Sequence, residues 1–177
     1  SVILPKLADY YKGAVYPLVC STTVNSILFP VYQNVYHYSH NHYASGGVAG
    51  VAIAPLLFGF DYFKIRRQNN ITESSLKSFR GFPLLSLREC LAMGLYFGNY
   101  QVFNEYVDSA VAGGLSGVLS WSLTYPLDAI VSRQIAQQVS ILEAVQQGNL
   151  TAGLRYCLLR ALLVNSLSFK LYAILVE

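Results

Sequence analysis

Two arginines and a glutamate stand in otherwise uncharged surroundings in this 177-residue chain. Arg88 and Glu89 open the run RECLAMGLYFGNY (88–100), and Arg160 opens RALLVNSLSFKLY (160–172), which repeats its pattern. A guanidinium is a planar fork of N–H donors that fits a carboxylate or phosphate bidentately, so an anionic group is the minimum ligand for the two arginines. Glu89 adds an acceptor for a cationic group. Cys20 takes the corresponding place on a third segment, and Tyr96 offers a ring to a quaternary ammonium. The alternative is an Arg88–Glu89 pair that only neutralises itself.

Other candidate chemistry is weaker. His37, His40 and His42 lie close together in HYSHNHY (37–43), a spacing at which imidazoles can share an ion. Nothing extends that ligand set, and a polar loop accounts for it, so no metal is expected. Cys20, Cys90 and Cys157 are odd in number and fall one to a segment, which argues against a disulfide framework. No Ser-His-Asp set, paired-carboxylate cleft or phosphate-cradling glycine loop occurs in a plausible context. An enzyme is not expected, and no cofactor is implied.

The elements that must position these groups follow from composition. Hydrophobic residues make up 54% of the chain and Asp, Glu, Lys and Arg only 12%, about half the share usual in soluble domains. No charged residue occurs from Gly13 to Phe60, from Cys90 to Asn104 or from Ser109 to Leu127. About 20 apolar residues suffice for one transmembrane helix. Five spans are predicted, near 13–37, 43–68, 83–106, 109–137 and 151–176, with NVYHYSHNHYAS (34–45) as an interfacial connection. Lys6, Lys12, Lys64, Arg66, Arg67, Lys77, Arg80 and Arg133 all fall in segments that the positive-inside rule puts on one face. The formal net charge of +3 therefore marks topology, and no nucleic-acid polymer is expected as partner.

The chain also repeats. GGVAGV (46–51) and GGLSGV (113–118) are 67 residues apart, as are Asp61 and Asp128, and Arg66 and Arg133. VNSILF (24–29) returns as VNSLSF (164–169). Each unit is a helix pair: an odd helix opening on GxxxG, which lets backbones approach closely, then a basic connection and an even helix that starts at Lys12-Gly13 or Arg80-Gly81. In LTYPLDAIVSRQ (123–134), Pro126 removes a backbone hydrogen bond and kinks its helix, bringing Asp128 toward the bundle axis. A carboxylate at that depth needs a partner or water.

PLDAIVSRQ (126–134) and GFDYFKIRRQ (59–68) resemble the repeat motif of the mitochondrial carrier family of solute transporters, and the likeness covers nearly the whole chain. It implies an all-α transmembrane bundle of tandem helix pairs in the mitochondrial inner membrane. Residues 1–42 would be the second half of repeat 1, 43–108 repeat 2 and 109–177 repeat 3. Five of the family's six spans are present, so the sequence reads as a piece of a longer carrier, expected to be a monomer. The resemblance further implies a matrix-side gate in which Asp128 pairs with Lys64, while Asp61 seeks its partner on the missing helix. It implies cardiolipin at Lys12, Gly13, Arg80 and Gly81.

The sequence departs from the family where Gly59 replaces a proline and Val131 a lysine, and its outer side lacks the usual ion pairs, with Tyr36 and Asn104 in basic positions. Such gates fit a transport-inactive adaptor as the alternative to a transporter working by alternating access. Arg88 beside Glu89 looks like the amino-acid and carnitine carriers of the family. Two arginines would hold phosphates equally well, so a nucleotide carrier stays open.

Overall fold

The computed structural model describes residues 15–68, 79 and 81–164. Of the segments 15–18 and 64–68 the backbone alone is described, so Lys12, Gly13, Arg80 and the Lys64 side chain lie outside the described residues. Among the described residues six helices follow one another: α1 (Val15–Ser39), α2 (His42–Gln68), α3 (Phe82–Asn104), α4 (Ser109–Gln137), α5 (Ile141–Gln146) and α6 (154–164). No strand occurs among the described residues, and the chain is all-α as the sequence implies. The first four predicted spans coincide with α1 to α4 to within two residues at each end. The fifth is helical from 154, and its remainder past 164 lies outside the described residues.

Helices of 23 to 29 residues rise about 35–43 Å at 1.5 Å per residue, enough to cross a hydrocarbon core of about 30 Å. Among the described residues His42–Phe63 is the one stretch that is both long enough and apolar enough by composition to cross a membrane.

The connection expected over 34–45 is largely helix. Only His40 and Asn41 leave the helical path, because Asn41 caps α2 with its side-chain oxygen, accepting from Tyr43 N at 2.9 Å and Ala44 N at 3.1 Å. His40 takes a left-handed φ of 50° that turns the chain back within two residues. Asp108 caps α4 in the same manner, accepting from Ala110 N. At the opposite end α5 opens on a reciprocal capping box of Ser140 and Glu143.

The α2–α3 interface is built on small residues. A Cβ added at Gly46 or Gly50 would lie closer than 3.0 Å to the backbone carbonyls of Met93 and Glu89 on α3. The GxxxG of α2 therefore seats against the very turn of α3 that carries Glu89. Two apolar clusters flank this seam. One joins Val24, Leu28, Ala49, Ile53 and Phe97 across α1, α2 and α3, and the other joins Ala54, Phe58, Leu85, Val131 and Ile135 across α2, α3 and α4.

The second cluster explains one departure from the repeat motif. Val131 is 3% exposed and packed among apolar side chains, where an ammonium would have neither water nor a partner. Pro126 lies inside a helix that continues to Gln137. In α2 a proline is also present, at Pro55 rather than at 59. Four residues is about one turn, so Pro55 occupies the same helix face one turn earlier.

Candidate functional site

Helix α3 starts at Gly81 with Pro83 in its first turn, where the missing N–H costs nothing. From there it carries Arg88 and Glu89 into the bundle, 9% and 2% exposed. Adjacent helical residues point about 100° apart, so the two can neutralise each other only because the arginine stem reaches round. Arg88 Nη1 donates to Glu89 Oε1, and Arg88 Nη2 forms an ion pair across the helix gap with Asp128 Oδ1 on α4 at 3.1 Å. The third nitrogen, Nε, is buried and has no hydrogen-bond partner among the described residues. The ring of Trp121 covers the guanidinium, 5.3 Å from its central carbon to the ring centroid, a cation–π distance.

Trp121 and Asp128 are seven residues apart, two helical turns, and so share the face of α4 that looks at Arg88. Two helices thus place carboxylates on one guanidinium, Glu89 from α3 and Asp128 from α4.

The expected site residues fall into groups. Arg88, Glu89 and Asp128 come together, with Asp61 near enough to act on Glu89. Cys20 and Tyr96 each pack against the α1–α2–α3 apolar cluster, where Tyr96 lies edge to face with Phe97 at 5.5 Å. Arg160 is exposed on α6. The partner that the structure gives Asp128 is Arg88; the Lys64 side chain, its expected partner, is outside the described residues. Gly81 is buried, with Ile135, Gln134 and Phe58 around the place of its missing side chain.

Two roles do not emerge from the sequence. Trp121 carries no motif, although a single tryptophan two turns before a membrane aspartate is a usable signal. Arg133 belongs to the repeat motif, which says nothing of its contacts. It donates to Ala144 O at 2.7 Å and to Asn149 O at 3.4 Å, pinning α5 under the bundle. On the far side, the histidines join an aromatic stack: Tyr32 OH and His42 Nδ1 are 2.6 Å apart, and His42 stacks on Tyr36 at 4.3 Å. This stack occupies the level at which the sequence lacks the family's outer ion pairs.

Ionisable groups turned inward between membrane-length helices mark a solute or ion path. The fold is an all-α bundle of membrane-length helices with an ion-paired cluster between them. Comparison with known proteins supplies the family. The chain is 30% identical to the mitochondrial arginine transporter BAC2 of Arabidopsis thaliana over 94% of its own length and 73% of the relative's. It is 28% identical to human solute carrier family 25 member 45, covering 81% of this chain and 67% of that one. It is likewise 28% identical to the human mitochondrial basic amino acids transporter, covering 90% and 69%. No family model and no solved structure matches. The chain belongs to the mitochondrial carrier family, whose members are multi-pass proteins of the mitochondrial inner membrane.

Proposed function

We propose that this carrier moves amino acids with cationic side chains by alternating access. The observation that carries the reading is the buried Arg88–Glu89 pair facing Asp128, with Asp61 close enough to act on Glu89. A basic amino acid brings one carboxylate and two cations. Arg88 matches the carboxylate, and Glu89 with its acidic neighbours matches the cations. A nucleotide, with several negative charges and no cation, meets repulsion from the same carboxylates. The names of the relatives point the same way: arginine, basic amino acids and, at 25% identity in Schizosaccharomyces pombe, ornithine.

In this reading Arg160 is the second guanidinium offered to the carboxylate, and Cys20 and Tyr96 line the path above the charged centre. Asp61, Lys64 and Asp128 close the matrix side, and cardiolipin seats at Lys12, Gly13, Arg80 and Gly81.

Uptake of labelled L-arginine, L-ornithine, carnitine and ADP into liposomes containing the full-length protein tests the proposal. Basic amino acids are expected to enter, and Glu89→Gln to abolish their uptake. Exchange of ADP alone, or arginine uptake untouched by Glu89→Gln, would refute it. Absence of all transport would favour the adaptor.

A further inference from the structure

Helices α3 and α6 begin alike. Gly81 and Gly153 stand at their starts, and seven residues after each glycine comes an arginine, Arg88 and Arg160. Seven residues are two turns, about 10 Å of rise, so the place of the glycine sets the height and angle at which the guanidinium enters the bundle. An aromatic side chain of the preceding long helix reaches both glycines. A Cβ added at Gly81 would lie 3.8 Å from the ring of Phe58 on α2, which also meets Phe82 edge to face at 5.6 Å. A Cβ added at Gly153 would lie 3.0 Å from the hydroxyl of Tyr125 on α4, which donates to Ala152 O at 2.7 Å. Phe58 and Tyr125 are 67 residues apart, the same interval as Asp61 and Asp128.

In the second of these places the contact is a hydrogen bond, and it ends a series. Gln147 Nε2 donates to Gln137 Oε1 at 2.6 Å, Arg133 donates to the carbonyls of Ala144 and Asn149, and Tyr125 donates to that of Ala152. The segment from Ser140 to Gly153 is thus laced along α4, and the lace at Tyr125 falls on the residues from which α6 starts. Gly153 O accepts from Cys157 N at 3.1 Å, the first turn of that helix. Gly153 itself has a φ of 88°, a backbone that a side chain would strain.

We propose that Tyr125 is the positioning residue for Arg160: its hydroxyl fixes the entry of α6 against α4 and so sets where the guanidinium two turns further on meets the solute. Phe58 serves Arg88 from the equivalent place by packing alone. Arg88 is also held by Glu89, Asp128 and Trp121, whereas Arg160 is exposed, so its place depends more on where its helix begins. The role of Arg160 toward the solute rests on the proposed function, though the contact of Tyr125 with Ala152 and Gly153 does not.

Three measurements on the full-length carrier test it. L-Arginine uptake into liposomes by Tyr125→Phe should show a half-saturating concentration raised about two- to tenfold, the span set by one uncharged hydrogen bond, with the maximal rate unchanged. Amide exchange in residues 154–157 of the same variant should quicken by a similar factor while α3 keeps its protection. Thermal unfolding of Tyr125→Phe, Gly153→Ala and the double variant closes a cycle: backbone strain at Gly153 is common to both backgrounds, so the alanine should cost less where the hydroxyl is gone. If Gly153→Ala does not fold, exchange at 154–157 decides the contact in its stead. An unchanged half-saturating concentration, or a loss confined to the maximal rate, would overturn the positioning role; unchanged exchange or additive unfolding would overturn the contact on which it stands. If the wild type takes up no L-arginine, the functional reading fails, and the hold of Tyr125 on α6 is judged by exchange and unfolding alone: faster exchange with coupling supports it, and the absence of either overturns it.

Discussion

Replacing Gly50 by alanine should damage both stability and transport, and Gly59 on the same helix supplies the control. The Cβ of an alanine at 50 would meet the carbonyl group of Glu89 and the Cys90 nitrogen, all at 3.1 Å or less. Ordinary van der Waals contact lies near 3.5–4.0 Å. The neighbour is backbone, which has no rotamer to escape into, so α2 and α3 must separate by about 1 Å. Overpacking of this kind costs about 1–3 kcal/mol. At Gly59 an added Cβ meets nothing within 4 Å. There the substitution should stabilise by about 0.5–1 kcal/mol, since glycine in a helix interior is worse than alanine by that amount.

Both substitutions gain the same helix propensity, so the difference between Gly50→Ala and Gly59→Ala in thermal unfolding of the detergent-solubilised carrier isolates the steric term. A difference of about 1–3 kcal/mol is expected. Transport should diverge further, because the displaced turn carries Glu89 and a misplacement of about 1 Å can cost a hundredfold in rate. Equal unfolding temperatures and equal transport rates for the two variants would refute the close seating of α2 on α3. They would also leave the position of Glu89 without its steric cause.

Further outcomes follow from neighbouring elements. Val131→Lys restores the residue expected from the repeat motif but places an ammonium in the Ala54, Phe58, Leu85 and Ile135 cluster; an unpaired buried charge should cost on the order of 3–5 kcal/mol in thermal unfolding. A stable Lys variant would show that the position reaches a carboxylate. Arg133→Met keeps the stem and removes the donors to the Ala144 and Asn149 carbonyls. Hydrogen bonds from charged donors contribute about 1.5–3 kcal/mol, so amide exchange in Ile141–Gln146 should quicken at least tenfold while α1 to α3 keep their protection. Unchanged exchange in α5 would remove Arg133 as its anchor.

The helices are legible because uncharged runs of membrane length and small-residue faces are one-dimensional signals. The repeat register carries Asp61 and Asp128 to equivalent places for the same reason. The turn at His40 is less legible, since its shortness depends on a left-handed backbone and an asparagine cap that composition does not reveal. The polarity of NVYHYSHNHYAS suggests a loop, yet its tyrosines and histidines form an ordered stack on the end of α1.

Least legible is the partner of Asp128. Pairing across helices depends on axial register, which is set by how closely backbones seat and not by spacing along the chain. Gly46 and Gly50 draw α2 against Met93 and Glu89, and this fixes the height at which α3 presents Arg88 to α4. Trp121, two turns before Asp128, then holds the guanidinium on the correct side. Among the described residues the cation paired with Asp128 comes from α3, from the arginine proposed to bind the solute.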